Sequence, residues 1–293
     1  MTAPTPPDRN GDLQSHATGP DGNQAVYATA DVLVGVDRSG KERWRYDFGP
    51  RGKTMGNTRT SCVYSGDGAV VWLYRPDMYV GRSETDRWIA LDAATGTVLG
   101  EAALPVPGGH GAIHYPHPDG VHMLLDVGCG QDGTYTFLGR INRGHLDWSA
   151  WPTAAAPMFG NLSITDLSAD GRHVLAVSFD DGAVTVIDFP SGTVAWRLDL
   201  ADFGFDLERD RLETVFVWDA RFLDERTALI ACNGETGGLD EDDDEPDWAA
   251  SGVGECADYV AFHVVDVASR RLLGPADATG ARDGDRPRFL PGS

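Results

Sequence analysis

VGVDRSGKERW (Val34–Trp44), IALDAATGTVLG (Ile89–Gly100), TVIDFPSGTVAW (Thr185–Trp196) and HVVDVASRRLLG (His263–Gly274) are copies of one phrase, and LGRINRGHLDW (Leu138–Trp148) is a degraded fifth. Each begins as a β-rich run ending at Asp37, Asp92, Asp188, Asp266 or Asn142, passes through a turn that usually carries Ser or Thr with Gly, and continues as a second β-rich run. Glycine supplies the positive φ that a tight hairpin turn demands, and a preceding Asp or Ser bonds the turn backbone. Each copy is therefore a β-hairpin. Further apolar runs precede each of them.

Working outward, Asn161–Leu200 contains four β-rich runs separated by ADGR, DDG and PSG, which predicts four antiparallel strands. The alternation within them is imperfect, as suits strands buried on both faces. Hairpins recurring every 45 to 80 residues predict an all-β chain, a single β-propeller of about five four-stranded blades. The further blades are expected at 60–104, 111–153 and 214–278, with an acidic insertion at about 235–258. The first blade, 24–48, shows only three clear strands. Pro287–Ser293 resembles Ala220–Thr227 at the start of a blade, so 285–293 is expected to complete the first blade and close the ring, with 1–23 a flexible segment; Leu13–Gly22 is the competing first strand.

At 293 residues, with 24 Lys+Arg against 45 Asp+Glu and a net charge of −21, the chain would repel a nucleic-acid backbone. Seven carboxylates fall in DEDDDEPD (Asp240–Asp247), which reads as a solvated loop. Neither a signal-peptide pattern nor an apolar run of spanning length is present, so a cytoplasmic, membrane-free monomer is expected. Cys62, Cys129, Cys232 and Cys256 lack C-x-x-C spacing and read as reduced, mostly buried thiols, with a Cys232–Cys256 pair the alternative.

The repeat ALDAATGTVLG, with VDRSGKERW and IDFPSGTVAW, resembles that of the quinoprotein-type (PQQ-like) and WD40-like β-propeller superfamily, and the whole chain resembles uncharacterised actinobacterial propeller proteins. The resemblance covers most of the chain and implies a fold. Trp44, Trp148 and Trp196 are expected to wedge between sheets, with Gly100 and Gly274 replacing the tryptophan in two copies. Quinone-dependent relatives use adjacent cysteines, which this chain lacks, so no cofactor is expected.

In such a fold ligands meet the loop-rich face around the central channel. Loops of the first blades place Lys53, Arg59, Arg75, His110 and His114 there, a cationic cluster suited to a small anionic molecule. The segment HGAIHYPHPDGVH holds His110, His114, His117 and His122, but strand spacing scatters these, and no metal site is expected. Glu235 ends a strand among glycines, and Trp218 and Asp219 open another. The regular aspartates serve hairpin geometry. The resulting expectation is a non-catalytic binding or scaffold protein engaging a small anionic ligand or a protein partner. Its alternative is a glycosidase-like hydrolase using Asp219 and Glu235 beside Trp218.

Overall fold

The computed structural model describes residues 13–52, 58–130, 133–152, 162–178, 182–205, 212–236 and 258–275. Among the described residues twenty strands form five four-stranded antiparallel sheets, each paired in chain order. The first comprises β1 (Ser15–Thr18), β2 (Gln24–Ala28), β3 (Val32–Asp37) and β4 (Glu42–Asp47). The second comprises β5 (Ser61–Tyr64), β6 (Val70–Arg75), β7 (Arg87–Asp92) and β8 (Val98–Ala103), with the short helix α1 (Asp77–Val80) between β6 and β7. The third comprises β9 (Gly111–Pro116), β10 (His122–Gly128), β11 (Thr134–Asn142) and β12 (His145–Ala150). The fourth comprises β13 (Leu162–Leu167), β14 (His173–Ser178), β15 (Ala183–Asp188) and β16 (Thr193–Leu198). The fifth comprises β17 (Leu212–Phe222), β18 (Thr227–Thr236), β19 (Asp258–Asp266) and β20 (Arg271–Pro275). The chain divides into two compact units, Met1–Ala176 with Val186–Ala195 and Val177–Thr185 with Trp196–Ser293. Among the described residues no helix is long and apolar enough to cross a membrane.

The first sheet is completed from the N-terminal side. Ser15–Thr18 pairs with Gln24–Ala28 and takes the place expected for 285–293, which lie outside the described residues. The expectation of a flexible 1–23 is corrected over this stretch. Ser15 and Gln14 supply the reason, since both bond the second sheet: the Gln14 side-chain oxygen accepts from the Thr60 amide at 2.8 Å and Ser15 Oγ from the Cys62 amide at 3.1 Å. An edge strand so anchored leaves few amides unpaired.

Within the first unit the middle strands are buried on both faces, which explains their continuous apolar runs. In β6, Val71 and Leu73 pack with Val26, Leu33 and Trp44 of the first sheet, whereas Trp72 and Tyr74 pack with Met123, Leu125 and Phe137 of the third. In β10, Leu124 turns instead to Ile164, Val174 and Ile187. Such alternation builds a separate apolar layer on each side of a sheet.

Indoles lock these layers. Trp44 Nε1 donates to the Ala93 carbonyl at 2.9 Å, and Trp151 Nε1 to the Pro190 carbonyl at 3.0 Å. In the second unit Trp196 Nε1 donates to the Val267 carbonyl at 2.8 Å. Each acceptor lies one or two residues past the repeated aspartate of the hairpin, so the two repeat elements meet. Gly35 and Gly96 leave the room this needs, because a Cβ on either would fall 2.2 or 2.6 Å from the Trp44 ring. Trp148 does not act as expected: it is 36% exposed, and the space over its register partner Gly139 is filled by Trp88 of the second sheet. Trp151, 4% exposed, takes that part instead.

The repeated aspartates shape turns. Asp37 Oδ1 accepts from the Ser39 and Lys41 amides, Asp92 Oδ1 from the Ala94 and Thr95 amides, and Asp266 Oδ1 from the Ser269 amide. Cys62, Cys129 and Cys232 are buried thiols, while Cys256 lies outside the described residues. Burial pushes the thiols of Cys62 and Cys232 up to about 12, so they are unreactive at neutral pH.

The contrast between two nearby tryptophans is directly measurable. Trp151→Ala is expected to cost about 3–5 kcal/mol in urea unfolding, and Trp148→Ala less than about 1 kcal/mol. Equal losses would sink this assignment of the wedge.

Candidate functional site

A cavity of about 390 Å³ opens in the first unit where the leading strands of the first four sheets approach one another. Its wall is largely backbone and short polar side chains, including Ser15, Thr60, Ser61, Thr134 and Ser163, with Arg59 and Asp126 the charged members. Chain geometry explains the make-up. β5 and β9 run side by side, and the Arg59 amide donates to the His110 carbonyl at 2.8 Å just before both strands begin. Arg59 itself is exposed, and among the described residues no carboxylate pairs with its guanidinium. The charge is available to a ligand.

Asp126 sits in the wall opposite this cation in character. It interrupts the apolar run of β10 and is almost fully buried. Thr136 Oγ1 donates to its Oδ1 at 2.8 Å, and the Ile164 amide to its Oδ2 at 3.2 Å, so it ties the third sheet to β13. Burial outweighs these bonds and pushes its pKa up to about 7. At neutral pH the carboxyl is poised between acid and anion. No motif marked it; the one available signal was an acidic residue inside HMLLDVG, where only apolar residues are expected.

The residues expected at the ligand face are dispersed. His114 does not line the cavity; its Nδ1 lies 3.3 Å from Ser61 Oγ and its Nε2 is sealed from solvent without a hydrogen-bond partner among the described residues. Burial lowers its pKa to about 3, so the imidazole is neutral and serves packing, 6.4 Å from the Trp88 ring. His110 is exposed and leans on Tyr79 at 5.2 Å. Its loop is pinned by the buried Asp86, which accepts from the Gly109 amide at 2.7 Å and from Tyr74 Oη at 2.8 Å. Arg75 does not line the cavity. Its guanidinium grips the buried Asp77 at 2.6 Å, in a network where Arg82 and Arg51 share Asp31. Lys53 lies outside the described residues.

Trp218, Asp219 and Glu235 belong to the second unit. Trp218 is the extra residue of a β-bulge in β17 and is 47% exposed, so it is no core residue. Asp219 is half-buried, its Oδ1 accepting from the Ala220 amide at 2.8 Å and its Oδ2 3.4 Å from Arg221 Nε. Asp219 is in register with Ala231, and Glu235 with Thr214 and Asp258. Glu235 thus stands four steps along β18 from the partner of Asp219, roughly 13 Å at strand rise. Glycosidase carboxyl groups stand about 5–9.5 Å apart, and this register does not favour such a pair.

Comparison with known proteins adds the fold. A family model described as outer membrane protein assembly factor BamB matches residues 8–254. Hydrazine synthase from Kuenenia stuttgartiensis is 14% identical with a TM-score of 0.53, covering 88% of this chain and 64% of that one. BamB from Moraxella catarrhalis is 15% identical with a TM-score of 0.50, covering 91% of this chain and 61% of that one. The Dos1 propeller is 8% identical with a TM-score of 0.51, covering 90% of this chain and 57% of that one. This chain therefore spans about three fifths of the length of those structures. No curated protein matches the sequence. With the five four-stranded sheets, these matches make the fold a PQQ-like β-propeller.

Asp126 and His114 leave opposite marks on stability. The folded protein holds the Asp126 proton up to about pH 7 and the unfolded chain only to its ordinary 3.8, so this contribution is complete below that value and is lost as pH rises through 7. The unfolded chain takes up a His114 proton below 6.5 that the folded state refuses until about 3, so stability is lost as pH falls through that window. Where the windows overlap, the two slopes, each about 1.4 kcal/mol per pH unit, oppose one another. Asp126→Asn is expected to unmask the His114 slope, so that the variant loses stability on acidification from pH 6 to 4.5 more steeply than the parent in urea titrations. Parallel profiles would refute the buried-acid assignment.

Proposed function

The chain belongs to this family of PQQ-like β-propellers, and we propose that it is a binding protein that holds a small anionic ligand in the cavity beside Arg59. One observation carries the reading: on a protein of net charge −21, an exposed guanidinium lining a cavity is left without a carboxylate partner among the described residues, while Arg75 and Arg82 are neutralised by Asp77 and Asp31. A planar fork of donors suits a carboxylate or a phosphate. Ser15, Ser61 and Ser163 add neutral hydroxyls to the wall. Asp126 then sets a pH dependence, since its protonated form donates to an anion and its ionised form repels one.

A second reading places a protein partner on the fifth sheet, where Trp218 and Leu223 are exposed. The description of the family as an assembly factor supports it. Exposed aromatic side chains are frequent anchors of protein interfaces.

Native mass spectrometry of the protein purified from its own host, before and after denaturation, separates the two. A small molecule released on denaturation, lost in Arg59→Ala and reduced at pH 8 relative to pH 6, is the expected result. An empty cavity, or a bound polypeptide lost in Trp218→Ala, would overturn the small-ligand reading in favour of the second.

A further inference from the structure

The first hairpin of successive sheets ends in a common turn. Ser65-Gly-Asp67-Gly68 joins β5 to β6, His117-Pro-Asp119-Gly120 joins β9 to β10, and Ser168-Ala-Asp170-Gly171 joins β13 to β14. In the second and fourth sheets the serine closes the turn, Ser65 Oγ donating to Asp67 Oδ1 at 2.6 Å and Ser168 Oγ to Asp170 Oδ1 at 2.7 Å. The third sheet departs from this pattern. A histidine replaces the serine, and His122 follows the turn where the fourth sheet has His173.

Both imidazoles converge on one oxygen. Asp119 Oδ2 lies 3.0 Å from His117 Nδ1 and 2.7 Å from His122 Nδ1, while Oδ1 is held by the Val121 and His122 amides at 2.8 and 2.9 Å. The far nitrogen of His117 donates to the Gly171 carbonyl at 2.7 Å. That bond requires the proton on Nε2, so the neutral ring presents the Nδ1 lone pair to a carboxylate oxygen. Two acceptors at 3.0 Å repel unless a proton on Nδ1 or a metal ion lies between them. The Asp119 amide, 3.2 Å from the same Nδ1, relieves this only in part.

We propose that His117 Nδ1, His122 Nδ1 and Asp119 Oδ2 bind a divalent transition-metal ion of zinc type. Two imidazoles and a carboxylate are a normal donor set for zinc, at about 2.0–2.2 Å per bond. Tetrahedral bonds of that length set ligand atoms about 3.3 Å apart, so the present 2.7 and 3.0 Å contacts need to open by about 0.6 and 0.3 Å. The supporting shell is built. A backbone carbonyl fixes the His117 tautomer, two backbone amides orient the carboxylate, and Phe189 stacks on the His117 ring at 3.9 Å. Gly171 has no spare space, since a Cβ there would fall 2.6 Å from His117 Cε1. His117 is buried, whereas Asp119 and His122 are partly open to solvent, which leaves the remaining coordination position to water or a ligand. The turn lies at the opposite end of β9 from the cavity of Arg59, so the two sites are separate. The ion would join the third sheet to Gly171 and Phe189 of the fourth within one unit.

Cobalt(II) is the probe, titrated into EDTA-treated protein with visible absorption, and zinc is then added in competition. The expected result is one saturable equivalent with ligand-field bands, displaced by zinc and raising the unfolding temperature. Binding should fall at least tenfold in His122→Gln and in Asp119→Asn, both partly exposed positions, with far-ultraviolet circular dichroism unchanged. Absence of saturable binding would overturn the proposal, and so would binding that survives both substitutions, which would assign the ion to the acidic run 240–247.

Discussion

In the first unit the sheets carry apolar side chains on both faces, and the structure there depends on how one sheet's edge is satisfied by another. At the outer end the indole of one sheet donates to a carbonyl in the hairpin of the next, as Trp44 does to Ala93 and Trp151 to Pro190. At the inner end short side chains do the same work, Gln14 on the Thr60 amide and Asp126 on the Ile164 amide. These bonds are few, but they fix the register in which apolar faces such as Leu73 against Leu33 come together. An unpaired amide buried at such a seam would cost about 1–3 kcal/mol, so each seam tolerates little change.

The cavity follows from the same constraint. Leading strands that bond through side chains, rather than through a continuous ladder, stand apart, and the gap is lined by the polar groups that bridge it. This is why serines, threonines and one carboxyl line the cavity with Arg59, and why Asp126 is both a structural tie and a carboxyl whose pKa burial raises to about 7. His114 at the next seam is silent in comparison, because burial keeps it neutral through the physiological range.

Legibility in the sequence tracks how local the interaction is. The hairpins were readable because Asp, Gly and the intervening residues bond within the turn, as Asp92 does with Ala94 and Thr95. Trp44 and Trp196 were readable because their phrase repeats. Trp148 occupies the matching position and yet faces outward, since Trp88 from another sheet already covers Gly139. Arg59 and Arg75 look alike as loop cations, and only the neighbours separate them: Asp77 neutralises one and no described carboxylate reaches the other. His117, Asp119 and His122 read as ordinary turn residues until the Gly171 carbonyl, more than fifty residues later, sets the tautomer of the first.

The sequence by itself determined the strand pattern, the number of sheets and the turn chemistry, because alternation, glycine and the Asx bond act over a few residues. Tertiary structure alone decided which tryptophan wedges, which arginine is left without a described carboxylate partner, where the buried acid lies and which terminal segment completes the first sheet. Those outcomes depend on desolvation and on partners distant in the chain, and neither quantity is a property of a residue's own neighbours in sequence.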